Sequence, residues 1–90
     1  MTPANFLASL KAAAALRIAA GEHSEDVAWD VVCVRTNRLG LRRMEALAHA
    51  AFPKLTLDQI LNEHADQPAS DGAIYQNALM AYVRGEAEGA

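Results

Sequence analysis

Val27-Ala-Trp-Asp-Val-Val-Cys-Val34 is the stretch whose reading decides the fold. Its second half, Val31–Val34, is rich in β-branched residues and would suit a short buried strand. The run as a whole is apolar almost all round, which suits a helix at the centre of a bundle. A lone strand would leave its ladder groups unpaired, and no other segment shows an alternating or β-branched run to pair with it. Helix is therefore the favoured reading, with a strand over Val31–Val34 as its rival. Ser24 just before the run, followed by Glu25 and Asp26, supplies a helix start: a capping hydroxyl and two acids at the positive end of the helix dipole.

On both sides of this segment the signals are helical. Thr2-Pro3 is a cap and first-turn pair, and Gly21 suits the residue just past a helix end. Between them Leu7, Leu10, Ala14 and Ile18 recur at helical spacing, widened by Phe6 and Ala13, and Ala12–Ala15 has the highest helix propensity available. After Gly40 a third helix turns Met44, Leu47, Ala48 and Ala51 inward and stops at Phe52-Pro53, because proline disfavours helical geometry in the residue before it. Thr56 through Gln59 form a capping box that launches a fourth helix with Leu57, Ile60, Leu61 and His64 on one face. A polar loop over Ala65–Ala69 contains Pro68. Ser70 and Asp71 then open a fifth helix with Ile74, Ala78, Ala81 and Tyr82 on its face, flanked by Tyr75 and Leu79. It ends near Gly85, and Glu86–Ala90 is expected to fray. The predicted fold is all-α: a compact single-domain bundle of about five short helices over residues 1–85, with a tail over 86–90.

Composition agrees with one domain. The chain has 90 residues, 52% hydrophobic and 21% charged, which places it among globular rather than disordered sequences. Cys33 is the only cysteine, so no intramolecular disulfide can form; a buried, reduced thiol in a cytoplasmic protein is the expectation. Met1–Ala8 carries no basic side chain ahead of the apolar stretch and Lys11 interrupts it, which argues against a secretory signal. No run approaches the ~20 apolar residues of a membrane span.

Catalytic and metal chemistries find little footing. His23, His49 and His64 share no spacing that forms a metal site on one helix. His23-Ser24-Glu25 matches half of a zinc deaminase signature without its cysteine pair, and Glu63-His64 lacks the second histidine of a zinc protease helix. Cys33 sits in the most apolar helix, where burial makes a thiol inert. His49 is expected on a polar face and His64 partly buried. The five glycines are scattered, so no phosphate-cradling loop exists. No cofactor, metal or catalytic residue is assigned, and the chain is not expected to be an enzyme.

Charge supplies the one pointer to a partner. The protein carries a formal net charge of −3, yet four of its eight basic residues, Arg35, Arg38, Arg42 and Arg43, fall in one short window. Residues 1–26 carry a net −1, residues 27–53 a net +2 and residues 54–90 a net −4. Arg35 and Arg38 lie near the carbonyl-rich end of the second helix, where cations are favoured. Arg42 and Arg43 open the third helix, whose free amides repel them at a cost of a few tenths of a kcal/mol each. Glu45, three residues beyond Arg42, offers partial compensation. The bland explanation is a solvated corner neutralised by the acids of residues 58–71; the functional one is a site for an anion or an acidic partner.

The expected function is a small protein-binding module, a regulator, inhibitor or adaptor of the kind phages and bacteria use as accessory factors, that occupies a surface on a larger partner. Arg35, Arg38, Arg42 and Arg43 form its first candidate face, and Asp58, Glu63 and Asp66 an acidic counter-surface. The alternative is a nucleic-acid-binding helical module whose arginines contact phosphates. Leu41–Phe52, the turn Pro53–Leu55 and Thr56–His64 have the element lengths of a helix-turn-helix. However, its would-be recognition helix carries Asp58 and Glu63, and a pI of about 5.5 is the wrong footprint for a polyanion. A homodimer that completes an Ala-rich core is a further expectation.

Overall fold

Val31–Val34 is helical. In the computed structural model, which describes residues 1–65 and 69–85, five helices follow in order: α1 Pro3–Ala19, α2 Ser24–Thr36, α3 Leu41–Ala51, α4 Leu57–His64 and α5 Asp71–Val83. No strand occurs among the described residues. The radius of gyration, 12.2 Å, matches the ~12 Å expected of one compact domain of this length. Asp66 and the expected fraying of Glu86–Ala90 lie outside the described residues.

The caps follow from local chemistry. Thr2 Oγ1 accepts the Asn5 amide at 3.1 Å, and Ser70 Oγ accepts that of Ala73 at 3.3 Å. The Thr56–Gln59 capping box is closed by both of its bonds, at 2.9 and 3.2 Å. Gly21, at φ +97°, ends α1: its amide reaches the Ile18 carbonyl while the Glu22 amide reaches that of Arg17. That pair of bonds is the Schellman arrangement, and its left-handed residue favours glycine. One boundary differs from expectation. The cap of α2 is His23, whose Nδ1 accepts the Glu25 amide at 3.3 Å, so Ser24 is the first helical residue.

The central element is α5, not α2. Ile74, Tyr75, Ala78, Leu79, Met80, Ala81 and Val83 are all buried, and α5 touches each of the other four helices. Its only charge is Asp71 in the first turn, so nothing opposes packing on every side. In α2, Val27, Ala28, Val31, Val32 and Thr36 are buried, but Trp29 is 61% and Val34 69% exposed. The expectation of an all-round buried α2 is thereby corrected. Asp26 and Asp30, one turn apart, hold one side of α2 in water, and Trp29 and Val34 flank that side. Ile18 is likewise 36% exposed rather than in the core. Its neighbours in the last turn, Leu16 and Ala19, are exposed as well, so that turn adds no side chain to the core.

Thr36 is buried and polar. Its hydroxyl donates to the Val32 carbonyl at 2.7 Å and accepts from Gln76 Nε2 at 3.2 Å, tying the end of α2 to α5. Phe52, fully buried where α3 ends, packs 5.2 Å from the His64 ring and edge-on to Tyr82 at 6.3 Å. These contacts fix the α3–α4 connection against α5. Lys11 Nζ sits over the Tyr82 ring, 4.3 Å from its centroid.

Candidate functional site

The end of α2 and the start of α3 meet in a tight corner. The Leu39 amide bonds back to the Thr36 carbonyl at 3.0 Å, and Gly40, the cap of α3, accepts the amides of Arg43 and Met44 at 3.1 Å each. Glycine has no side chain with which to cap, so the first amides of α3 face outward without a side-chain acceptor. Arg35 lies in the last turn of α2, Arg38 in the connection, and Arg42 and Arg43 in the first turn of α3. All four arginines thus fall at or beside the junction of α2 and α3.

All four are exposed, and none makes an ion pair among the described residues. The two ion pairs found there both belong to Arg17, which reaches Glu22 at 2.6 Å and Asp30 at 2.9 Å. Asp58, Glu63 and Asp71 are exposed and make no ion pair with the corner. Glu45 is half-buried and does not close on Arg42 within ion-pair distance.

The two α3 arginines point differently. At about 100° per residue, Arg42 lies opposite the inward row of Met44, Leu47, Ala48 and Ala51, beside exposed His49. Arg43 turns toward α1 and lines an open cleft of about 440 Å³. The other walls are Ala46 and Leu47 of α3, Leu39 of the corner, Pro3 and Phe6 of α1, and Met1 and Thr2 ahead of it. One arginine therefore stands on an apolar cleft while its neighbour faces solvent.

On α4, Asp58, Gln59, Asn62 and Glu63 share the exposed side, opposite buried Ile60. Asp58 and Glu63 thus sit on one face, apart from the arginine corner in the chain. Asp66, the third residue of the expected acidic surface, lies outside the described residues.

Other candidate groups support no chemistry. Burial first, and then the nearby Asp30 carboxylate, push the Cys33 thiol above its ordinary pKa, away from the thiolate a nucleophile needs. His64 is half-buried, stacked at a tilt on Phe52, and its carbonyl accepts from Asn77 Nδ2 at 3.4 Å. Among the described residues no three His, Cys, Asp or Glu side chains converge as metal ligands, and no helix is long and apolar enough to cross a membrane.

Sequence reasoning found the arginines but missed the cleft. Phe6 reads as the edge of a core stripe, and Leu39 belongs to no helical pattern. The available signal was a leucine in a connection, between Arg38 and the helix-breaking Gly40, where a polar residue is usual. Comparison with protein-family models, with curated proteins and with solved structures finds no match to this chain.

Proposed function

We propose that this chain is a small protein-binding module, a regulator, inhibitor or adaptor that acts by occupying a surface on a larger partner, with the arginine corner as its principal contact. One observation carries the reading: of four exposed arginines near one helix junction, none in an ion pair among the described residues, Arg43 lines an apolar cleft. Interface hot spots favour that pairing of arginine with an apolar pocket. A corner with no internal neutralisation leaves its charge available to steer an acidic partner. Asp58 and Glu63, exposed on α4, and Asp66 offer a second, acidic contact of opposite preference.

The decisive experiment is affinity capture from the source cells with the wild-type chain and with Arg42→Glu/Arg43→Glu, followed by mass spectrometry. A protein retained by the wild type and lost by the double variant, with helical content unchanged in both, supports the reading. Identical captures, or none, overturn it.

Nucleic acid is the second reading, favoured by the open amides at the start of α3, which suit phosphate oxygens. Against it stand the carboxylates exposed on α4 and the apolar walls of the cleft, from which a phosphate backbone gains nothing. In that reading affinity for random duplex falls with salt at a log–log slope of roughly −0.9 per phosphate neutralised. An absence of binding at low ionic strength removes it.

A further inference from the structure

The cleft has a composition that selects its occupant. Phe6, Leu39, Ala46 and Leu47 give it apolar walls, and Arg43 gives it one cationic wall. Its volume of about 440 Å³ is near the low end of ligand-sized pockets, room for roughly one or two side chains rather than a broad protein surface. The basic side chain that lines it is an arginine, Arg43, and neither of the chain's two lysines, Lys11 and Lys54, does so. Guanidinium forks match carboxylates in a two-bond geometry that an ammonium cannot reproduce.

From this we infer that the cleft between the start of α1 and α3 takes an apolar anchor side chain from an acidic peptide segment of another protein, with Arg43 and Arg42 pairing with carboxylates beside that anchor. The inference rests on the protein-binding reading above and specifies its ligand chemistry. Charge complementarity argues for the acidic flank. The molecule as a whole carries −3, whereas residues 27–53, which supply Leu39, Arg43, Ala46 and Leu47 to the cleft, carry a net +2. The apolar walls argue for the anchor, because burying an aliphatic or aromatic side chain there removes exposed hydrophobic surface on both partners. Arg42, on the outer side of α3, extends the contact beyond the cleft; Arg38 is the chain neighbour of Leu39.

Selection of random peptides displayed on phage against the wild-type chain, with a parallel selection against Arg42→Glu/Arg43→Glu, tests this directly. The expected result is enrichment, on the wild type alone, of peptides with an aliphatic or aromatic residue flanked by Asp or Glu. A synthetic peptide of the enriched sequence should then perturb the amide resonances of Phe6, Leu39 and Ala46. Its affinity should fall about tenfold or more with Arg43→Glu, the loss expected of a charge-assisted contact. Ala46→Trp, at an exposed position on the cleft wall, should block the same peptide while leaving the helical spectrum intact. Enrichment without acidic residues, no enrichment, resonance changes on another face, or preferential binding of random duplex DNA each overturn the inference. The two readings fail separately. A captured partner that is lost with Arg42→Glu/Arg43→Glu but kept with Ala46→Trp preserves protein binding and removes the cleft. Peptides seated in the cleft without any captured partner do the reverse.

Discussion

Gln76 on α5 donates its side-chain amide to the hydroxyl of Thr36, 3.2 Å away across forty residues of chain. That hydroxyl in turn donates a hydrogen bond to the Val32 carbonyl at 2.7 Å, so it serves as donor and acceptor at once inside the bundle. Replacing it with a methyl leaves the Gln76 amide without its protein acceptor at a part-buried site. Thr36→Val should therefore cost about 1–2 kcal/mol, despite matching the original in shape. For a domain of this size each kcal/mol lowers Tm by roughly 4–8 °C, which calorimetry resolves readily. An unchanged Tm means that water replaces the hydroxyl at no cost.

Arg42 and Arg43 oppose the dipole of the helix they begin, and no internal carboxylate forms an ion pair with them among the described residues. Reversal of both to Glu should leave helical content intact and raise stability, each substitution by about 0.3–1 kcal/mol at low salt. Thermal melts at low and high ionic strength check this, since the gain should shrink as salt screens the dipole. A destabilised double variant would mean that their aliphatic stems pack the corner together.

Trp29 is the chain's only tryptophan, so its fluorescence reports one site. With the ring 61% exposed, native emission should lie close to that of the unfolded chain, and iodide should quench it strongly. Trp29→Ala should then change stability by less than about 0.5 kcal/mol, as is usual for surface positions. A loss of roughly 3–5 kcal/mol, typical of deleting a buried aromatic, would restore α2 to the centre of the bundle.

Acid should loosen the end of α1. The hydrogen bonds from Arg17 hold the Glu22 carboxyl below its ordinary pKa of about 4.5. A depressed folded-state pKa gives stabilisation that is fully present above the ordinary value and lost as pH falls through the lower, folded-state value. Both side chains are well exposed, so the effect is modest and screened by salt. Tm measured against pH should fall more steeply at the acid end for the wild type than for Glu22→Gln. Parallel profiles would show that the bidentate contact does not persist in solution.

The helices were legible because each is bounded by chemistry that acts locally: Thr2-Pro3, the Thr56–Gln59 box, Ser70, and glycines with φ of +97° and +83° at positions 21 and 85. The choice of central helix was not. An apolar run predicts burial only on the sides that neighbours cover, and Trp29 and Val34 flank a side kept in water by Asp26 and Asp30. The arginine corner was legible as a density of one residue type. The cleft beside it was not, since Phe6 and Leu47 lie far apart in the chain and meet only through helix packing. His23 as a cap was equally hidden, because the neighbouring Ser24 is the commoner choice.

Placing the innermost helix at residues 71–83 has a consequence for biogenesis. The four preceding helices emerge from the ribosome before the surface on which they close exists, so the nascent chain carries open apolar faces until residues 71–83 have followed them. Fragments that stop short of Asp71 should be insoluble or rapidly degraded rather than partly active. Quality control would thus discard incomplete copies before their arginines met any target.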